Sequence, residues 1–223
     1  MARRIYKISR DGKLLKSINV EFESPINPGE MLDPRSVFYD GQHLWFTNDR
    51  PTESYLYRLS LDGAVIKRFA MSAVDLQIEG IVVVGRYLYL AGNGLDNIIQ
   101  MDFDGNIIKT ISVLGFTDQP AGIAFDGKNL LLTDSFGLSI RVIDFLVNSL
   151  KQIDISTLDD SPGGLAFDGK NVSFFGNFNK KIFTLSGAGV QISGIDLSSI
   201  LTTSSGVSHD GKDTYIATAG GVI

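Results

Sequence analysis

The chain repeats itself with a period of 42 residues. A glycine followed by an aliphatic residue opens four similar segments, at Gly80, Gly122, Gly164 and Gly206, and each glycine lies 42 residues after the one before it. Every segment consists of short β-rich runs separated by turn residues. A fixed period near 40 with this content is typical of a β-propeller, in which each period forms one blade.

Each period contains two hairpin signatures, because a β-rich run, a turn and a second β-rich run occur in two alternating versions. The turn is Asp-Gly in most copies; the copy at residues 79–93 has Val84-Gly85 instead, and the copies at residues 140–153 and 182–195 are degenerate. Glycine accepts the positive φ that a tight hairpin turn needs. The first version occurs at residues 35–49, 79–93, 121–135, 163–177 and 205–219. The second version occurs at residues 5–18, 56–69, 98–111, 140–153 and 182–195. Two hairpins per period predict a four-stranded blade, with strands A to D running from the axis outward.

The two kinds of hairpin balance, with five A–B pairs and five C–D pairs. The sequence starts with a C–D pair and finishes with an A–B pair, so these two halves can complete one shared blade and leave no open sheet edge. The sequence therefore predicts an all-β, five-bladed propeller of four-stranded antiparallel blades, as a single domain over residues 1–223. The alternative is a fragment of a larger propeller.

Composition narrows the classes of partner. A net charge of −5 without a Lys/Arg cluster gives no support for a nucleic-acid role, so we expect no nucleic-acid partner. No cysteine is present for a disulfide or a thiolate metal site. No apolar run approaches the length of a membrane span, and Met1-Ala-Arg-Arg leads directly into the first strand without a signal peptide. We therefore expect no membrane partner, a cytoplasmic location by default, and a monomer.

The antiparallel blades predict two chemically different faces. The A–B and C–D turns lie on one side, the turn face, and the B–C and D–A loops lie on the other side, the loop face. We interpret the Asp-Gly aspartates of the turn face as turn residues rather than metal ligands. His43 and His209 are also predicted on this face, as surface or core-edge residues and not as catalytic bases. The turn aspartates are Asp11, Asp40, Asp62, Asp104, Asp126, Asp168 and Asp210.

The loop face carries the departures from the period. The turn interval from Asp11 to Asp62 is 51 residues, with seven extra residues between Ile18 and Arg35 and two between Asp49 and Leu56. Repeat proteins place binding insertions on one face, although neutral drift of loop length is an alternative. The loops are also acidic, which favours a metal cation, a polyamine or a basic peptide; a solvated rim that aids solubility is the other interpretation. The acidic residues are Glu21, Glu23, Glu30, Asp33, Asp49, Glu53, Asp75, Glu79, Asp96, Asp118, Asp134, Asp159 and Asp160.

The axial channel opens on the loop face where A strands begin and B strands end. The residues before the A strands are Arg35, Glu79, Ala121, Gly163 and Ser205. The predicted ligand-binding residues are Arg35, Asn48, Asp49, Arg50, Glu79, Asn93, Asp134 and Asn177. Arg35 and Glu79 are expected on adjacent blades, where they can pair. A hard cation such as Ca²⁺ or Mg²⁺ wants carboxylate and amide oxygens. The metal candidates are Glu79, Asn93, Asp134 and Asn177.

Residues 120–135, followed by residues 140–144, resemble the repeats of NHL-type propellers. They look equally like the wider group that contains gluconolactonase-like and streptogramin-lyase-like proteins. Members of those families usually have six or seven blades, against the five counted here. The lactonase-like enzymes hold a divalent metal on the axis, and the four metal candidates occupy loosely comparable places. The lyases use a histidine near the axis, and neither His43 nor His209 is expected to sit suitably for that role.

Three functional hypotheses follow. The leading hypothesis is a binding module that presents its acidic loop face and axial channel to a protein, a peptide or a small ligand, with residues 21–33 and 49–55 as the rim. The first alternative is a metal-dependent, lactonase-like hydrolase with a divalent cation on the axis. The second is a structural unit that assembles through its outer D strands. Because no Gly-x-Ser-x-Gly or phosphate-loop motif is present, the sequence predicts no catalytic residue and leans against an enzyme.

Overall fold

A computed structural model describes residues 3–117, 119–203 and 206–221, so Asp118 and Ser205 of the predicted loop face lie outside the described residues. The described chain is all β. Its strands are, in order, β1 (Arg4–Ile8), β2 (Leu14–Asn19), β3 (Asp33–Tyr39), β4 (Leu44–Arg50), β5 (Glu53–Leu59), β6 (Val65–Ala70), β7 (Ile78–Val84), β8 (Tyr87–Gly92), β9 (Asn97–Asp102), β10 (Ile107–Ser112), β11 (Pro120–Phe125), β12 (Leu130–Asp134), β13 (Ser139–Ile143), β14 (Ser149–Asp154), β15 (Pro162–Phe167), β16 (Val172–Gly176), β17 (Lys181–Leu185), β18 (Gln191–Asp196), β19 (Leu201–Thr203), β20 (Gly206–His209), β21 (Thr214–Thr218) and β22 (Gly220–Gly221).

These strands form five four-stranded antiparallel sheets, one for each blade. Blades 2 to 5 consist of β3–β6, β7–β10, β11–β14 and β15–β18, and blade 1 has the order β20, β21, β1, β2 from the axis outward. β1 pairs with β21 so that Arg4 lies opposite Thr218 and Ile8 lies opposite Thr214. The predicted five-bladed propeller with a blade shared between the two ends is confirmed.

The hydrophobic core is divided among the contacts between blades. The inner strands touch in a closed ring, in the order β20, β3, β7, β11 and β15. Each of the five contacts between neighbouring blades contains one apolar cluster. Successive residues of a B strand point to opposite faces of the sheet, so Trp45 packs toward blade 3 and Phe46 packs toward blade 1. Burial on both faces explains the nearly continuous apolar runs of these strands.

The glycine that opens the repeat is needed because the inner strands approach each other closely. A methyl group on Gly80 would lie 2.7 Å from the backbone nitrogen of Ile123. A methyl group on Gly122 would lie 2.6 Å from the nitrogen of Leu165, and one on Gly206 would lie 2.6 Å from Cα of Ser36. Only glycine allows backbones this close. The repeating glycine is therefore a packing requirement of a narrow ring.

The Asp-Gly turns have the local chemistry that the sequence indicates. Oδ1 of Asp40 accepts hydrogen bonds from the backbone nitrogens of Gln42 at 2.8 Å and His43 at 2.7 Å, and Gly41 has a φ of 99°. The same bonds recur at Asp126, Asp168 and Asp210. Their carboxylates thus fix the A–B turns.

Two features lie outside the repeat. β19 and β22 form a separate two-stranded sheet. Residues 19–34, hereafter the insertion, contain an antiparallel bridge between Glu23 and Met31 and fold back over blade 2. The described residues include no helix that is long and apolar enough to span a membrane.

Candidate functional site

The loop-face mouth of the axis is built on a β-bulge that recurs in blades 2, 3, 4 and 5. In blade 2, Pro34 pairs with Asn48 and Ser36 pairs with Thr47, so Arg35 is the extra residue. Glu79 and Ala121 are skipped in the same way in blades 3 and 4, and the register of blade 5 shifts after Pro162. A bulge bends the strand and re-aims the extra side chain, and bulges are common beside active sites. Here they deliver one residue from each of these four blades to the axis.

The bulge residues line an open depression of about 330 Å³, hereafter the axial depression. Its two halves differ. Arg35 and Glu79 make a charged wall, whereas Ala121 and Gly163 fill little space on the other side. The polar groups that complete the lining include Asn93, Gln119, Ser135, Asp160, Ser161 and Asn177.

One guanidinium in the axial depression is shared by two carboxylates. Nε of Arg35 donates to Oδ1 of Asp49 at 2.6 Å, and Nη1 lies 3.5 Å from Oε1 of Glu79. The predicted neighbours Arg35 and Glu79 are therefore an ion pair between adjacent blades. No described residue makes a hydrogen bond to Oδ2 of Asp49, which is buried. The cluster thus carries one more carboxyl group than it has cations.

Burial moves the titration of both carboxyl groups toward neutral pH. Loss of hydration raises the pKa of Asp49 to about 7, against the opposing charge and hydrogen bond of Arg35. Burial also raises the pKa of Glu79, where Arg35 opposes the shift and Asp75 adds to it. Since the two groups share one partner, they titrate as a coupled pair. The cluster can therefore take up or release a proton near physiological pH.

The other predicted site residues are placed differently. Asn93 and Asn177 line the axial depression. Asn48 is fully buried in blade 2 beside the phenol of Tyr57 and is not among the lining residues. Arg50 binds the insertion through the Met31 carbonyl at 3.0 Å and Glu30 at 3.1 Å.

The carboxylate of Asp134 contacts residues of its own blade and does not line the axial depression. Its Oδ1 accepts a hydrogen bond from the nitrogen of Gly137 at 2.8 Å, and its Oδ2 lies 3.5 Å from Nη2 of Arg141. Three of the four metal candidates therefore share the depression. Among the described residues, no group of three or more His, Cys, Asp or Glu side chains is arranged to hold a metal ion.

Several acidic residues of the loop face have structural roles. The Asp75 carboxylate accepts backbone hydrogen bonds from Gln77, Gly94 and Leu95, which joins the D–A and B–C loops of blade 3. Asp159 does the same in blade 5. Both are buried. Of the acidic residues that the sequence assigns to this face and the structure describes, Glu21, Glu23, Glu30 and Asp160 are exposed.

A buried carboxylate of blade 2, that of Glu53, anchors the insertion. Glu53 is 0% exposed, accepts hydrogen bonds from Tyr55 Oη at 3.0 Å and Ser24 Oγ, and lies 3.5 Å from Nδ2 of Asn27. From the sequence, Glu53 was expected on the exposed rim. The sequence does show that both lengthened loops, between Ile18 and Arg35 and between Asp49 and Leu56, belong to the same blade. Their proximity is what brings Ser24 and Glu53 together.

The B–C turns on the same face present large apolar side chains to solvent. Leu95 is 66% exposed, and Phe136 and Phe178, which occupy the same place in successive repeats, are 72% and 71% exposed. Ile26 at the tip of the insertion is 64% exposed. The loop face therefore combines a charged depression with projecting apolar contacts.

The geometry defines a β-propeller with a polar site at one end of its axis, and several solved structures resemble this fold. Over all of this chain and 97% of the other, it matches the glutaminyl cyclase of Myxococcus xanthus with a TM-score of 0.68 and 11% identity. A virginiamycin B lyase from Staphylococcus aureus is matched over 96% of this chain and 78% of the other, with a TM-score of 0.58 and 17% identity. A nidogen/laminin complex is matched over 89% and 73%, with a TM-score of 0.61 and 16% identity.

These likenesses establish the fold. They confirm the resemblance to streptogramin-lyase-like propellers at that level, because streptogramin B lyases are among the neighbours. No family model matches the sequence. No curated protein matches it either.

Proposed function

We propose that the protein is a binding module whose loop face takes a basic peptide segment, with one cationic side chain in the axial depression. The observation that carries the proposal is the asymmetric ring of bulge residues. Arg35 and Glu79 place charge on one side, and Ala121 and Gly163 leave space on the other. The space lies directly beside two carboxyl groups that share one guanidinium.

Charge favours a cationic ligand. Asp49 and Glu79 contact the guanidinium of Arg35, and the exposed carboxylate of Asp160 also lines the depression. A concave surface with an excess of one sign concentrates oppositely charged ligands, and the effect weakens with salt. Glu79 lies 3.5 Å from Arg35, whereas Asp49 lies 2.6 Å from it. An ammonium group of the ligand would therefore compete with Arg35 for Glu79 more readily than for Asp49.

The surrounding surface favours a peptide over a metal ion or a polyamine. The exposed side chains of Leu95, Phe136 and Phe178 offer apolar contacts that a metal ion cannot use and that the apolar side chains of a peptide can. Exposed aromatic residues commonly anchor protein interfaces. A peptide that alternates basic and apolar residues would engage both features.

The proposal can be tested by fluorescence anisotropy with a labelled Lys/Leu peptide and the same peptide with Glu in place of Lys. We expect binding of the basic peptide only, with weaker affinity at higher salt. Glu79→Gln should weaken binding about 10-fold, which corresponds to loss of one charge-assisted hydrogen bond. Ala121→Phe should block the depression while leaving its charges in place.

A matched control removes one carboxylate from the opposite face. Asp104 has an 87% exposed side chain in a turn-face loop, so Asp104→Asn should leave binding unchanged. Equal binding of the acidic peptide would contradict the proposal. Equal losses in the Glu79 and Asp104 variants would show that net charge, rather than the depression, attracts the peptide.

Catalysis in the same depression is the second candidate. Its support is the raised pKa of Glu79, because a carboxyl group that titrates closer to neutral pH suits general acid–base chemistry. One structural neighbour is a glutaminyl cyclase. Mass spectrometry of a glutaminyl peptide incubated with the protein would detect conversion. Conversion by the wild type that Glu79→Gln abolishes would support an enzyme, and an unchanged peptide would count against this chemistry.

The metal-dependent, lactonase-like alternative keeps Glu79, Asn93 and Asn177 as oxygen donors, with Asp134 committed to Gly137 and Arg141. Ca²⁺ or Mg²⁺ binding, assembly through the outer strands, a monomeric state and a cytoplasmic location all stay predictions.

A further inference from the structure

The turn-face end of the axis has the opposite chemistry to the axial depression. It holds a cavity of about 130 Å³ with mainly apolar walls, which include Phe38, Val82, Ile123, Phe125 and Phe167. The inner-strand position that directly precedes the two turn residues is Tyr39 in blade 2, Val83 in blade 3, Phe125 in blade 4 and Phe167 in blade 5. Blade 1 has His209 at this position. An imidazole therefore stands where the other blades supply tyrosine, valine or phenylalanine.

His209 has one satisfied and one unsatisfied ring nitrogen. Nδ1 lies 2.9 Å from Oγ1 of Thr214, its partner across the hairpin. Nε2 is buried, and no described residue makes a hydrogen bond to it. A buried polar atom without a partner costs about 1–3 kcal/mol. Such an atom in a native structure calls for a specific explanation, such as a bound water or ligand.

A second cavity adjoins the same histidine. It has a volume of about 200 Å³ and lies between blades 5 and 1. Its walls carry hydroxyl, amide and charged groups, including Ser173, Thr184, Ser193, Asn171 and Arg10. His209 lines both cavities, so its ring is in contact with both spaces.

Burial lowers the pKa of His209, against the nearby carboxylate of Asp168 and with a further lowering from Arg10. The imidazole is therefore neutral at physiological pH, with one nitrogen that donates and one that accepts. A hydroxyl group can serve Nε2 in either tautomer, because it both donates and accepts.

We propose that the turn face contains a second ligand site, which takes a small aromatic molecule with one hydroxyl group. The aromatic ring would occupy the apolar cavity, and the hydroxyl would form a hydrogen bond with Nε2 of His209. Size agrees with this occupant, since an apolar cavity of roughly 150 Å³ in another protein binds benzene. The site shares no residue with the axial depression, so it is independent of the proposed peptide binding.

Phenol and toluene form a matched pair of probes, because they differ in the hydroxyl group that the proposal requires. Two-dimensional NMR of the full chain should show shifts at Phe125, Phe167 and His209 on titration with either compound. Phenol should bind about 2- to 10-fold more tightly, the difference expected for one hydrogen bond.

Two variants distinguish the contribution of the ligand's aromatic ring from that of its hydrogen bond with Nε2 of His209. His209→Phe introduces the residue that blades 4 and 5 carry at this position, and it should remove the preference for phenol while toluene still binds. Ala166→Val introduces the residue that blade 3 carries at position 82, and it should weaken both probes by narrowing the cavity. His43→Phe replaces the other histidine of this face and should change neither affinity.

Three outcomes would overturn the proposal. The first is the absence of shifts at the cavity residues with both probes. The second is an equal affinity for phenol and toluene in the wild type. The third is a preference for phenol that persists in His209→Phe. A crystal structure grown with phenol, showing only a water molecule on Nε2, would also reject it.

Discussion

Two carboxyl groups compete for the guanidinium of Arg35, and this competition governs how the axial depression responds to pH. Asp49 makes the shorter contact, at 2.6 Å, yet one of its oxygens is buried without a partner. Glu79 makes a longer contact, at 3.5 Å. Full ionisation of both groups leaves an excess negative charge in a poorly hydrated place. The folded protein therefore holds a proton here that the unfolded chain would release.

Asp49→Asn should remove a specific pH dependence of stability. The folded pKa of about 7 lies above the unfolded value, so the native state binds more protons between about pH 4 and pH 7. The contribution of Asp49 is then fully present below that window and is lost as pH rises through 7. Relative to Asp49→Asn, the wild type should lose on the order of 2 kcal/mol between pH 5 and pH 8.

Urea unfolding of both proteins at pH 5 and pH 8 measures this difference. An identical difference in unfolding free energy at the two pH values would show that Arg35 keeps Asp49 ionised throughout. A larger advantage of the wild type at pH 8 would reverse the sign and contradict the argument.

The sequence could predict that Arg35 and Glu79 are neighbours, because the repeat aligns them on adjacent blades. It could not predict the bulges that turn both side chains toward the axis. A bulge depends on the register between two strands, and Pro34 to Ser36 reads as an uninterrupted strand in the sequence. For the same reason, the burial of Asp49 and Asn48 beneath this mouth was not foreseeable.

The insertion is an ordered element, since its contacts are specific and partly buried. Phe22 stacks on Tyr57 with ring centres 4.7 Å apart, and Val20 and Leu32 are fully buried beneath it. Arg3 binds Asp33 at 2.7 Å. The rim of the loop face is therefore held in one conformation, which lowers the entropy that a bound peptide would have to remove.

Glu53→Ala should release the insertion without unfolding the propeller. The change leaves the hydroxyl groups of Ser24 and Tyr55 without their acceptor, at an expected cost of about 2–3 kcal/mol. Limited proteolysis should then cut near Ile26 faster than in the wild type, while circular dichroism keeps its β spectrum. Glu21→Ala is the control, because Glu21 is exposed on the same insertion.

Equal cleavage rates in the Glu53 and Glu21 variants would show that the apolar contacts alone hold the insertion. The length of this element and its face could be predicted from the broken period. Its anchor could not, because nothing local in Arg50-Pro-Thr-Glu53 marks the glutamate as buried. That burial arises only when residues 24 and 53 meet.

The narrowness of the ring is the property that most constrains the molecule. Five inner strands close around the axis, and three of the repeat glycines described here leave no space for a methyl group. The sequence could predict the number of blades, because whole and half repeats can be counted. It could not predict the two cavities at the ends of the axis, because their size depends on how the lining side chains pack around the closed ring.

Gly122→Ala should therefore destabilise the whole propeller. The added methyl group would meet the backbone of blade 5, at 2.6 Å from the nitrogen of Leu165, and neither strand can move without disturbing its neighbours. We expect a loss of about 1–3 kcal/mol in the free energy of unfolding, as for other overpacked sites. Gly187→Ala is the matched control, because no atom lies within 4 Å of its added methyl group. Equal stabilities of the two variants would show that the ring expands easily.

The seam in blade 1 has a mechanical consequence. Because Arg4 lies opposite Thr218, the beginning of β1 and the end of β21 sit at the same end of their ladder. A force that pulls the two termini apart would load the residue pairs one after another, from Arg4 toward Ile8, rather than all at once. Tension on both ends would therefore first separate β22 from β19 and then open the shared blade by peeling, before any other blade.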